Sequence, residues 1–182
     1  MNSKIINPRF IFIFSTIMIG AILRLVPHWP NFTPIAAMAL FGGAYFSKKY
    51  LAFVLPLAAM FLSDLVLGLH EWLIPVYVSF AIVVGIGMLM RNRVKAGSVL
   101  LASLSSSVVF FLLTNFAVWL GSPFYAQDAT GLLASFTAGL PFLNNGVLGD
   151  LFFSTVFFGG FYLVQLKFPV LRKEVAYVKI GK

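Results

Sequence analysis

Six long apolar stretches make up most of the sequence, and almost all of its charged residues lie between them. Only 10% of the 182 residues are charged, whereas about 25% are charged in a typical soluble domain. Since about 20 apolar helical residues can cross a bilayer, this pattern predicts an all-α integral membrane protein with a single membrane domain, residues 1–182. A soluble enzyme, a disordered tail and a nucleic-acid-binding domain are excluded. The six predicted transmembrane helices cover residues 10–26, 33–46, 50–69, 73–90, 98–120 and 146–166.

The basic residues predict how these helices are oriented. Lys and Arg collect in cytoplasmic loops, and six crossings with both termini in the cytoplasm place 12 of the 13 basic residues on that side. Only Arg24 falls outside, near four of the five acidic residues. The 12 are Lys4, Arg9, Lys48, Lys49, Arg91, Arg93, Lys95, Lys167, Arg172, Lys173, Lys179 and Lys182.

Two segments depart from the regular pattern. The stretch 33–46 has 14 residues, about 21 Å of helix, which is shorter than the bilayer core. It could therefore be re-entrant, tilted or packed at a thinned site, but the charge distribution favours a full crossing. Residues 124–145 form the longest predicted non-spanning piece. Within it, residues 128–140 are expected to form a short amphipathic helix on the outer face, followed by a turn at residues 144–146.

Polar side chains inside apolar helices are candidate functional groups, because their burial in a bilayer is costly. Seven candidates lie in the outer half of the predicted bundle or in the loop beside it: Arg24, His28, Asn31, Asp64, Tyr77, Asn115 and Asp150. Together they predict a ligand pocket that opens to the outside and is covered by the loop 27–33. The alternative is a structural role, in which Arg24 pairs with Asp64 or Asp150 and Asn115 bonds to a neighbouring helix.

The sequence contains no recognisable catalytic or cofactor motif. It has no cysteine, and it lacks a Gly-x-Ser-x-Gly elbow, a Walker loop and paired catalytic carboxylates. His70 and Glu71 follow Asp64 at a spacing that does not match the helical zinc-binding pair. We therefore expect no enzyme activity, no cofactor and no metal site, and the chain cannot use ATP by itself.

The second and third stretches resemble a known family. Residues 34–46, Pro-Ile-Ala-Ala-Met-Ala-Leu-Phe-Gly-Gly-Ala-Tyr-Phe, are followed within twenty residues by Ser-Asp-Leu-Val-Leu-Gly at 63–68. This pattern is similar to the substrate-binding S components of energy-coupling-factor (ECF) transporters, which are six-helix vitamin-uptake proteins of bacterial membranes. Residues 24–34 resemble a branch similar to the solitary cobalamin transporters of Gram-negative bacteria. The resemblance implies an S-component bundle in the bacterial cytoplasmic (inner) membrane.

The same resemblance implies roles for individual residues. Matching positions place Arg24, His28, Asn31, Asp64 and Tyr77 nearest the ligand. The cobalamin branch relies on a cysteine that ligates cobalt, so here His28 or His70 would have to serve, or the cobalt would have no protein ligand. S components that dock to a shared coupling subunit usually carry Ala-x-x-x-Ala in the first helix, where this chain has Thr16 and Gly20 at that spacing.

These observations together predict a membrane transport protein that takes up a vitamin or related micronutrient, with cobalamin or another corrinoid as the leading candidate. Its expected partners are this small molecule, membrane lipid and, if it is not solitary, an ECF coupling subunit with ATPases. One alternative is a proton-coupled secondary carrier that uses Asp64 and Asp150. Another is a non-transporting membrane scaffold subunit.

Overall fold

The structure is a computed structural model that describes residues 7–69 and 71–172. In this part of the chain it is all-helical, as predicted, and the number of helices agrees with the number of apolar stretches. The six helices are α1 (Pro8–Leu23), α2 (Ile35–Tyr45), α3 (Lys49–Leu67), α4 (Leu73–Leu89), α5 (Ala96–Gly121) and α6 (Ala129–Lys167). Predictions for His70, Lys4 and residues 173–182 lie outside the described residues.

Several helix ends follow directly from local sequence. Asn7 caps α1 by accepting a hydrogen bond from the Phe10 amide at 2.8 Å, and a proline suits the first helical position. Asp128 caps α6 in the same way, with the Gly131 amide as donor at 2.8 Å. Gly68 ends α3 at a φ of 98°, a conformation that glycine adopts without steric cost.

Helix α2 runs through the centre of the bundle. It packs against α1, α3, α4, α5 and α6, and ten of its eleven residues are buried. A helix that is apolar on all sides is expected to be buried in this way. Because the other helices enclose it, so short a helix can occupy a central position.

Small residues set the contact between α2 and α4. A Cβ atom added at Gly43 would meet the carbonyl oxygen of Val84, and one added at Gly87 would meet the carbonyl oxygen of Leu40. The two backbones therefore touch each other at this crossing. Such close approach through glycine is typical of helices that associate in membranes.

Three helices are long and apolar enough to cross a membrane, namely α3, α5 and α6, while α1, α2 and α4 are apolar but shorter. Large aliphatic side chains point away from the bundle on several helices. Val66, Ile74 and Leu89, for example, are each more than 70% exposed. These features are compatible with a membrane protein.

The last helix differs from the expectation. Residues 129–140 are helical as expected, but they are not a separate helix and the turn at 144–146 does not form; instead α6 continues from Ala129 to Lys167, 39 residues or about 58 Å. Pro141 lies inside it. A proline removes only one amide donor and bends a helix without necessarily ending it, and extensive packing against α5 supports the helix on both sides of Pro141.

The two ends of the bundle differ in charge. Arg9 at the start of α1 donates a hydrogen bond to the Leu171 carbonyl at 2.6 Å, which joins the start of α1 to the turn that follows α6. Arg91 after α4 donates to the Gly43 carbonyl at 2.9 Å, near the end of α2. Basic residues distant in sequence therefore meet at one end, which we call the basic end.

Candidate ligand-binding cavity

The loop between α1 and α2 has a fixed conformation at the end opposite the basic end. Asn31 adopts a φ of 62°, a left-handed conformation that asparagine tolerates better than most residues. Phe32 packs against Phe152 and Phe153 of α6, with ring centroids 5.9 and 5.6 Å away. Gly149 makes room for the loop backbone, because an added Cβ would lie 3.0 Å from the Phe32 Cα. The loop is thus held against α6.

His28 lies in this loop with one ring nitrogen engaged. Its Nδ1 is 2.5 Å from the carbonyl oxygen of Val26. A carbonyl can only accept, so Nδ1 carries the proton in this hydrogen bond. In a neutral imidazole the other nitrogen, Nε2, is then an acceptor. His28 can therefore offer a lone pair to a ligand.

Arg24, Asp64 and Tyr77 form a compact cluster that joins α1, α3 and α4. Arg24 Nη1 lies 2.5 Å from Asp64 Oδ1 and donates a hydrogen bond to Ser63 Oγ at 2.6 Å. The Tyr77 hydroxyl donates to Asp64 Oδ2 at 2.6 Å. Asp64 is 1% exposed and Arg24 is 12% exposed. Of the two acids considered as partners of Arg24, the structure therefore shows Asp64 and not Asp150.

Asp150 has a different environment. It is 6% exposed and accepts a hydrogen bond from Ser107 Oγ of α5 at 2.6 Å. Among the described residues, the Arg24–Asp64 contact is the one ion pair, so Asp150 has no cationic partner there. A carboxyl group buried without a counter-charge is costly and is a common feature of functional sites.

Asn115 of α5 faces α6 at the position of Gly139. Its Nδ2 donates to the Phe111 carbonyl within α5 at 2.8 Å, so its side chain bonds its own helix and not a neighbour. Ser135 Oγ of α6 donates to the Asn115 backbone carbonyl at 2.9 Å. Gly139 leaves room for the Asn115 amide, because an added Cβ would meet Asn115 Oδ1.

These groups surround a cavity of about 580 Å³, which we call the ligand cavity. The loop after α1, the start of α4, the second half of α5 and the first half of α6 form its walls. Five of the seven predicted site residues line it: Arg24, His28, Asn31, Asn115 and Asp150. Asp64 and Tyr77 do not line it. Asp64 pairs with Arg24, and Tyr77 donates a hydrogen bond to Asp64.

Several residues of the cavity wall were not predicted from the sequence. Ser107 and Thr114 of α5 add hydroxyl groups, and aromatic rings cover much of the remaining wall: Trp72, Phe80, Phe110, Phe111, Tyr125 and Phe142. Helical periodicity offered a signal for Ser107, because it precedes Asn115 by eight residues and therefore shares its helix face. No comparable signal identifies the aromatic residues, since phenylalanine occurs 21 times in the chain.

The arrangement suits a small amphipathic ligand. Pockets of about 300–1,000 Å³ with apolar walls and a few convergent polar groups are typical small-molecule sites. Here Arg24 can donate hydrogen bonds, Asp150 and His28 can accept them, and aromatic faces can pack against flat or apolar parts of a ligand.

Comparison with known proteins assigns the chain to a family. A family model described as a family of unknown function (DUF6580) matches residues 4–171. No curated protein and no solved structure matches the chain. Because the matched region covers most of the sequence, the chain belongs to this family.

Proposed function

We propose that this member of the DUF6580 family is a membrane transport protein of S-component type that binds a vitamin-like micronutrient in the ligand cavity. The observation that supports this most strongly is the cavity itself, where a carboxyl that is buried without a cationic partner among the described residues, a polar loop held against α6 and aromatic walls converge. A scaffold subunit has no need to leave Asp150 in this state. A ligand that donates a hydrogen bond to Asp150 would offset the cost of its burial.

The proposal includes the orientation of the protein. The basic end contains Arg9, Lys48, Arg91, Lys95 and Arg172 around a common space, and basic ends of membrane bundles face the cytoplasm. The ligand cavity is at the opposite end and would open to the outside. Six crossings, with α2 enclosed by the other helices, and a location in a bacterial inner membrane are part of the same proposal.

The size of the cavity favours a ligand smaller than a complete corrinoid. A volume of about 580 Å³ corresponds to a drug-sized molecule, and cobalamin, with its macrocycle and nucleotide tail, is larger than that. Cobalamin would need a wider cavity or would insert only partly. We therefore place smaller, flat, hydrogen-bond-donating vitamins ahead of it.

The test is ligand binding by protein purified in detergent, measured against a panel of vitamins that includes cobalamin. Asp150→Asn should weaken binding by at least about tenfold, because hydrogen bonds to a charged group contribute about 1.5–3 kcal/mol. The matched control is Asp128→Asn, which changes an acid that does not line the cavity and keeps a good helix cap. If folded protein binds no member of the panel, or if both variants bind equally well, the proposal is wrong.

A second candidate is a proton-coupled carrier, and the structure restricts which acid could serve. Asp64 is held by Arg24 and Tyr77, whereas the side chain of Asp150 accepts a hydrogen bond only from a serine hydroxyl among the described residues. A carrier would therefore use Asp150 as its proton-binding group, not both acids. Proton flux in liposomes that stops with Asp150→Asn and persists with Asp128→Asn would favour this candidate.

A further inference from the structure

A second cavity lies at the basic end of the bundle. Its volume is about 1670 Å³, and it is bounded by the start of α1, the α2–α3 and α4–α5 connections, the first half of α5 and the second half of α6. None of the residues that line it also lines the ligand cavity. We call it the basic cavity.

The charge on its walls has one sign. Five cationic side chains line it: Arg9, Lys48, Arg91, Lys95 and Arg172. The four acidic residues in the described part of the chain, Asp64, Glu71, Asp128 and Asp150, do not. Cations collected around one space without acids repel one another, so an anion placed there would be attracted by all of them.

Buried donors in this cavity also lack acceptors. Arg91 uses Nε to reach the Gly43 carbonyl, but its Nη2 is buried and has no hydrogen-bond partner among the described residues. The hydroxyls of Ser103 and Ser154 are in the same state, and these two side chains are 0% and 1% exposed. Leaving such groups unpaired is costly, so an occupant that brought acceptor oxygens to them would be stabilised.

Much of the remaining wall is apolar and reaches the side of the bundle. Phe10 and Leu51 lie inside, while Leu100 of α5 and Tyr162 of α6 line the cavity and are also 49% and 60% exposed. The cavity is therefore accessible from the lateral surface of the bundle as well as from its end. In a membrane, the lateral surface contacts the acyl chains of lipids.

We propose that the basic cavity is a binding site for an acidic phospholipid, whose phosphate lies among the cationic side chains and whose acyl chains lie along the apolar wall. Basic pockets between membrane helices at the cytoplasmic side are suited to acidic head groups. The last residues of the chain, 173–182, are a rival occupant, but they contain three lysines and one glutamate. Their net charge has the same sign as the cavity, so charge complementarity favours the lipid.

The experiment measures lipid retained by the purified full-length protein, without any vitamin present. The probes are phosphatidylglycerol, phosphatidylcholine with the same acyl chains, and glycerol 3-phosphate as the isolated head group. We expect phosphatidylglycerol to bind at least about tenfold more tightly than either of the others, which corresponds to about 1.4 kcal/mol. Increasing salt should weaken this preference.

Two arginines separated by one residue provide a matched pair of variants. Arg91→Gln should lower phosphatidylglycerol binding by at least about tenfold, while Arg93→Gln, which changes an exposed residue that does not line the cavity, should not. Lys95→Gln is a second variant, because the Lys95 side chain can change while its backbone still caps α5. If Arg91→Gln proves unstable, Lys95→Gln replaces it as the test and should also lower phosphatidylglycerol binding.

Several results would overturn this assignment. Equal binding of phosphatidylcholine would indicate general lipid contact, and equal binding of glycerol 3-phosphate would indicate a site for free phosphate compounds. Binding that arises only after residues 173–182 are removed would show that the chain fills its own cavity. Because no vitamin is present, each of these results leaves the proposal for the ligand cavity intact.

Discussion

Asp64 and Asp150 are both buried acids, but the structure predicts a large loss of stability when Asp64 is changed to asparagine and a small one when Asp150 is. Asp64→Asn leaves the Arg24 guanidinium, 12% exposed, without its counter-charge. Breaking one side of a buried ion pair costs about 3–5 kcal/mol. Asp150→Asn removes no ion pair among the described residues, and Ser107 can still donate to the new amide oxygen. We expect this change to cost about 1 kcal/mol or less.

Thermal unfolding of the detergent-purified variants measures the difference, with the fluorescence of the three tryptophans as the signal. For a chain of this length, 1 kcal/mol shifts Tm by about 2–4 °C. Asp64→Asn should therefore lower Tm by at least about 6 °C, and Asp150→Asn by no more than about 4 °C. Ligand binding should show the reverse order, with Asp150→Asn the more damaging change once both proteins are folded.

A double variant separates the ion pair from other effects. Arg24→Met combined with Asp64→Asn removes both charges, and the asparagine can still accept the hydrogen bond from Tyr77. Replacing both partners of a buried pair is often neutral for stability. The double variant should therefore recover at least half of the decrease in Tm that Asp64→Asn causes. The reasoning is refuted if Asp64→Asn is as stable as the wild type, if Asp150→Asn is the less stable of the two, or if the double variant recovers nothing.

Three further predictions concern packing, the cavity and a cap. Gly43→Val should lower the stability by about 1–3 kcal/mol through overpacking. Gly85→Val is the control, because the added Cβ meets nothing within 4 Å, and it should not lower the stability. Measuring Tm distinguishes the two variants. Ser107→Ala removes the hydrogen bond to Asp150 and should alter ligand affinity with little loss of α-helical circular dichroism. Asp128→Ala removes the cap of α6 and should cost about 1 kcal/mol, whereas asparagine there should restore Tm.

Sequence reasoning identified the helices because each apolar stretch is bounded by charges or turn residues. It left open which acid pairs with Arg24, since that depends on how far α1 and α3 are displaced along each other. It predicted a helix at 128–140 correctly but was wrong about the turn at 144–146, because Pro141 and the asparagines that follow favour a break locally, and packing against α5 overrides that preference. The basic cavity was not predicted, since it arises where five separate parts of the chain meet.

Helix α6 contributes to both cavities, and a π-helical turn at Thr155–Gly159 lies just after Asp150 along it. Such a turn accommodates one residue more than a regular α-helical turn and is frequent at functional sites. If that extra residue moved along the helix past Tyr162, the residues that it passed would rotate by about 100° and shift by about 1.5 Å while Asp150 stayed in place. Such a shift would change the direction of the Tyr162 side chain, which lines the basic cavity, without moving Asp150 in the ligand cavity.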